Sequence, residues 1–223
     1  MRKHPDGGVI AAFFDLDLTI TSVDTFRLFL KEYYASTPFR IHYLLYILLF
    51  GVLRKLRLVS LKEFKQRALI GLRKKTRSQI RLLGIELFES HMLGRIRPKA
   101  ISRIEMHKKN GDLVFIVSAS PDIYLHAFCE YLNCDGYFCT ELEYVDEVFT
   151  GNIDGNDCIG EEKSSRVDGF VTSLRLQKSN TFAYTDHHID LPLLESVGNP
   201  HAISPTDRLK ELAYIRNWTV FYW

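Results

Sequence analysis

FFDLDLTIT, residues 13–21, runs two phenylalanines into two aspartates separated by a single leucine, with a threonine two residues further on. Upstream, GGVIAA carries the apolar run back to a glycine pair, so the segment reads as a strand buried on both faces, with acids at its carboxyl end. Ionised groups at the end of a buried strand are costly unless they have partners or a use. Asp15 and Asp17 mark either a polar turn or a site for a metal and a phosphate. Because a strand alternates its side chains, both carboxylates point to one side and Leu16 to the other.

Working outward, GDLVFIVSAS (111–120) is the next strand, following a helix from Pro98 to Asn110 that Asn110-Gly111 closes. KSNTFAYTD (178–186) makes a third strand, PHAISP (200–205) a fourth and WTVFYW (218–223) a last one, with helices beginning near Pro121, Glu161 and Thr206. Strand and helix alternate, which predicts an α/β fold with a doubly wound, mostly parallel sheet. Within YFCTELEYVDEVFTGNIDG (137–155) the pattern predicts a β-hairpin turning near Thr150-Gly151. Roughly 100 residues separate Asp15 from Ser118, whereas a βαβ unit needs only about 30. The excess, about residues 22–97, reads as helix, with capping boxes at Ser60–Glu63 and Thr76–Gln79. The expected organisation is a core of residues 1–21 and 98–223 with a helical cap, 22–97, inserted after the first strand.

The 223 residues, 46% hydrophobic and 25% charged, are those of an ordinary globular chain. The polar start MRKHPDGG does not read as a signal peptide, and Cys129, Cys134, Cys139 and Cys158 form no C-x-x-C pair, which together predict reduced thiols and a cytoplasmic protein. Net charge is +2 but unevenly placed: residues 1–81 hold 16 Lys/Arg against 6 Asp/Glu, and residues 82–223 hold 13 against 21.

In an open α/β sheet, ligands bind beyond the carboxyl ends of the strands. Three such ends here carry distinctive polar residues: Asp15, Asp17 and Thr19; Ser118 and Ser120; Asp186 and Asp190. Lys163, in GEEKSS, opens an intervening helix. Each alone would be ordinary. In this order they resemble the haloacid dehalogenase (HAD) superfamily of phosphohydrolases, and the cap position, the GEEK lysine and the tail beginning DLPLLESVGNP resemble its phosphoserine-phosphatase-like branch, subfamily IB.

The resemblance implies a HAD-like Rossmannoid core and Mg²⁺-dependent hydrolysis of a small phosphorylated substrate. Asp15 is then the nucleophile that becomes an aspartyl phosphate. Asp17 is the acid and base, oriented by Thr19. Mg²⁺ is held by Asp15, the backbone carbonyl of Asp17 and Asp186, supported by Asp190. Lys163, Ser118 and the backbone at Ala119 bind the phosphoryl oxygens. TDHHID (185–190) departs from the branch, with Thr185 for glycine and His187 for serine, so His187 and His188 bear on metal affinity or simply meet solvent. Leu18 stands where many relatives have glycine.

The cap holds an apolar run, IHYLLYILLFGVL (41–53), followed by basic residues from Arg54 to Arg81. As a helix, thirteen residues reach about 20 Å, short of the roughly 30 Å hydrocarbon layer. The alternatives are a buried cap helix, a homodimer contact, or a helix lying in the headgroups of an anionic membrane at its inner face. The last suits a lipid phosphatase of the phosphatidylglycerophosphate type. A non-catalytic HAD-like binding module is a further alternative that the intact acids and lysine oppose, and no nucleic-acid motif accompanies the basic residues.

Overall fold

The computed structural model describes residues 8–35 and 40–223. The polar N-terminal stretch and residues 36–39 of the predicted cap lie outside them. In chain order the elements are β1 (Ala11–Phe14), α1 (Thr25–Ala35), α2 (Arg40–Lys55), α3 (Leu61–Ala68), α4 (Arg77–Leu87), α5 (Pro98–Asn110), β2 (Leu113–Pro121), α6 (Asp122–Tyr131), β3 (Gly136–Val145), β4 (Val148–Asp154), α7 (Glu161–Ser173), β5 (Thr181–Thr185), α8 (Leu191–Ser196), β6 (Asn199–Ile203), α9 (Asp207–Ile215) and β7 (Thr219–Phe221).

The sheet runs β4-β3-β2-β1-β5-β6-β7, parallel throughout except for the antiparallel β3–β4 pair. β1 is central and its four residues are fully buried, as an unbroken apolar run between two layers requires. Alternate residues serve opposite layers. Ala12 and Phe14 join the core that includes Ile104 of α5 and Tyr124 of α6, while Ala11 and Phe13 join Val167 of α7, Leu194 of α8 and Leu209 of α9. The sheet is doubly wound.

Both predicted capping boxes form. The hydroxyls of Ser60 and Thr76 accept from the backbone of Glu63 and Gln79, whose side chains return to the cap N–H groups. α4 lies close against α6: a Cβ on Gly84 would fall 1.8 Å from the carbonyl oxygen of Ile123, so this approach requires glycine.

The hairpin is real, but its turn is at Asp146-Glu147, not at Thr150-Gly151. Asp146 and Glu147 adopt left-handed φ angles of 49° and 63°, the backbone of a tight two-residue turn, and Gly151 with φ of 100° sits inside β4 instead. The helical stretch between β1 and β2 is broken by non-helical backbone at 56–60 and 73–76. No helix among the described residues is long and apolar enough to cross a membrane.

Candidate active site

β1 delivers its acids as the sequence requires, although its ladder ends at Phe14. Asp15 (φ −64°, ψ 152°) and Asp17 (φ −71°, ψ 127°) have extended backbones, and Leu16 between them is buried in the core. Leu18 then takes φ of 59° and bends the chain away. A leucine pays about 1 kcal/mol or more for that conformation, which glycine adopts freely.

Asp15 is buried and doubly held. Its Oδ1 accepts from Lys163 Nζ at 2.7 Å and its Oδ2 from the Thr19 hydroxyl at 3.3 Å. Lys163, on the first turn of α7, also donates to Asp190 Oδ2 at 2.7 Å, and the Thr185 hydroxyl donates to the same oxygen at 2.8 Å. Residues beyond two strand ends, β1 and β5, and one helix start thus form a single chain of contacts. Thr185, in place of the branch's glycine, supports Asp190. Burial alone would discharge the lysine, but Asp15 and Asp190 hold its pKa above the usual range.

The expectation that Thr19 orients Asp17 is corrected: Thr19 touches Asp15. Asp17 is oriented by two residues that carried no such role in the sequence reading. Its Oδ1 accepts from both the backbone N–H and the hydroxyl of Thr25, each at 2.6 Å, and its Oδ2 from the Ser120 hydroxyl at 2.7 Å. Burial raises the Asp17 carboxyl and Asp24 adds to the rise, opposed by these hydrogen bonds. Thr25 opens α1, eight residues beyond Asp17, and nothing in local spacing marks it. Ser118 is fully buried and its oxygen accepts from the Ser120 N–H at 3.0 Å, which leaves its own proton available to an acceptor.

Asp186 is buried, and no side chain among the described residues donates to it. Burial and then Asp190 push its carboxyl up to about 7. Burial likewise holds Asp15 well above the usual carboxylate range; Lys163 lowers it, and Asp190, Asp186 and Asp17 raise it. Four acids around one buried lysine are short of positive charge. The oxygen donors fit a hard divalent cation that keeps waters and shares its ligands with a phosphate. Among the described residues, no three His, Cys, Asp or Glu side chains converge into a ready cage. His187 and His188 lie with ring centroids 4.3 Å apart and tilted by 30°, and His187 Nδ1 accepts the Ile189 N–H at 3.1 Å, so that ring nitrogen is committed to the turn rather than to a metal or to solvent. All four cysteines are free thiols.

A second buried ion pair borders the site. Lys65, on α3, donates to Asp157 and to the carbonyl of Ala119, both at 2.5 Å, and Thr140 donates to the same two oxygens at 2.6 and 2.8 Å. The backbone at Ala119 is thereby tied through its carbonyl to α3 and β3. In the sequence Lys65 is one basic residue among many, and its partner lies 92 positions away.

The haloacid dehalogenase-like hydrolase family model matches residues 12–195. Among characterised and named proteins, phosphoserine phosphatase SerB1 of Mycobacterium tuberculosis is 26% identical over 223 residues, covering 98% of this chain and 72% of that protein. The inhibition of morphological differentiation protein of Streptomyces azureus is 28% identical, covering 94% of this chain and 77% of that one. Among solved structures, a protein of unknown function from Bordetella pertussis superposes with a TM-score of 0.80 at 22% identity, covering 96% and 98% of the two chains. A substrate-bound phosphoserine phosphatase superposes with a TM-score of 0.66 at 16% identity, covering 96% and 92%, and both agree with the fold. With the acids, lysine and serine in the family's order on the family's fold, the chain belongs to the haloacid dehalogenase-like hydrolases.

Proposed function

We propose that the chain hydrolyses phosphomonoesters through a phosphorylated Asp15, as its phosphoserine-phosphatase relatives suggest. The observation that carries this reading is the pair of differently held acids: Asp15 fixed by Lys163 and Thr19, Asp17 clamped by Thr25 and Ser120. In this reading residues 22–97 act as a cap over the core formed by 1–21 and 98–223.

Asp15 Oδ attacks phosphorus and the bond from phosphorus to the leaving oxygen breaks. That oxygen takes the proton of Asp17, whose carboxyl burial raises above its ordinary value. Asp17, now ionised, takes a proton from water as the water oxygen attacks phosphorus. The acyl phosphate then breaks between phosphorus and Asp15, inorganic phosphate leaves, and both acids return to their starting states. Lys163 and the Ser118 hydroxyl stabilise the charge on the transferring oxygens. Asp15, Asp186 and the carbonyl of Asp17 would hold Mg²⁺, which neutralises the phosphate dianion among these acids when bound.

Hydrolysis of p-nitrophenyl phosphate with and without Mg²⁺ tests the reading. Asp15→Asn should cost at least about a thousandfold in kcat, and excess chelator should abolish turnover until Mg²⁺ is restored. Wild-type turnover in Asp15→Asn, or full activity in chelator, would overturn it.

A further inference from the structure

We propose that the leaving group of this ester carries an unbranched hydrocarbon chain, seated in a chamber between α1, α2 and α3. The proposal rests on the phosphomonoesterase reading and adds what that site accepts. The chamber is a cavity of about 720 Å³ whose lining includes Asp17, Ala119 and Ser120. It is therefore continuous with the carboxyl group that protonates the leaving oxygen, and whatever that oxygen belongs to extends into it. Its size falls within the roughly 300–1,000 Å³ of pockets that enclose a whole small ligand.

Its accessible lining is mostly apolar. Leu30 comes from α1, Leu44, Leu48 and Val52 from α2, and Phe64 from α3. The spacing of the three α2 residues, four apart, sets them on one stripe of that helix. They remain 46%, 64% and 49% exposed. Such a stripe beside a catalytic carboxylate has apolar surface to bury on a ligand. Gly51, on the same side of α2, leaves the space beside Phe64 open: a Cβ there would meet the Phe64 ring at 3.9 Å.

An amino-acid leaving group would instead need a partner for an ammonium and another for a carboxylate. Lys65, next to Ala119, is committed to Asp157, and Arg27 is paired with Asp24 at 3.3 Å. The other cations along the chamber, Lys31, Arg54 and Lys55, are exposed.

Alkyl phosphates from ethyl to decyl, kept below micelle-forming concentrations, and O-phosphoserine are the probes for the purified chain. Over the first several carbons kcat/KM should rise about two- to fourfold per methylene, and decyl phosphate should exceed phosphoserine. Gly51→Leu, which improves helix propensity while filling the space beside Phe64, should lower the decyl-to-ethyl ratio by about tenfold or more. A profile flat in chain length, phosphoserine preferred over decyl phosphate, or an unchanged ratio in Gly51→Leu would overturn the chamber as the seat of a hydrocarbon chain and leave the phosphatase reading standing. Absence of Asp15-dependent hydrolysis of every ester would overturn both.

Discussion

At the carboxyl end of the sheet, charged groups are buried: Asp15, Lys163, Asp186 and Asp190 are each 6% exposed or less. Along α2 the opposite holds, with Leu44, Leu45, Leu48 and Leu49 all open to solvent. Both regions defy the usual sorting of apolar residues inward and charges outward. The first compensates in part, since Lys163 joins Asp15 and Asp190, and Thr25 and Ser120 hold the neighbouring Asp17. The second has no such compensation within the described residues. Buried charge with partners points to chemistry on a charged group, and apolar surface without them points to recognition of an apolar one. On the proposed reading, phosphoryl transfer and leaving-group choice are housed in different parts of the chain.

Breaking the charged region should have the largest effect on rate. Asp17→Asn keeps the shape and loses the proton carrier, so kcat should fall by about a hundred- to ten-thousandfold. Esters with better leaving groups, which need less protonation, should lose less in burst-phase measurements. An equal loss for all leaving groups would show that Asp17 only positions.

The join between the two regions comes next. Lys65→Met leaves Asp157 buried without its lysine and frees the Ala119 carbonyl from α3. Breaking one side of a buried pair costs about 3 kcal/mol or more, to be read as a lowered denaturation midpoint with unchanged slope. A loss within about 0.5 kcal/mol would show that the pair does not fasten α3 to the sheet end.

Much of the charged region is legible in the sequence because strand ends are. Asp15, Asp17, Ser118 and Asp186 fall where apolar runs stop, and a doubly wound sheet brings those stops together. Lys163 was legible as a helix start. Thr25 and the Lys65–Asp157 pair were not, because each reaches its partner through space with no local pattern. The hairpin turn is not legible, because Asp146 and Glu147 are ordinary residues that accept a left-handed backbone, while the conspicuous Gly151 lies within β4. α2 is apolar nearly all round, so its periodicity could not say which stripe faces a chamber.

A smaller test sharpens the contrast between partnered and unpartnered charge. Asp122, in the first turn of α6, has a buried Oδ1 with no hydrogen-bond partner, and burial pushes its carboxyl up to about 7. Its folded pKa lies above the unfolded value of about 3.9, so the fold disfavours the ionised form. The cost is absent below about pH 4, grows between the two values and is complete above about 7. Asp122→Asn should therefore raise Tm by about 2–4 °C at pH 8, and by less at pH 4. An equal gain at both pH values would remove the charge as the cause.

Chemical trapping at Asp15 tests directly whether this carboxylate carries the phosphoryl group. Enzyme quenched during turnover and reduced with borohydride converts an aspartyl phosphate to homoserine, which peptide mass spectrometry locates. A phosphorylated Asp15 should give homoserine at position 15, dependent on substrate and absent in Asp15→Asn. Reduction at another acid, or at none while turnover proceeds, would contradict it.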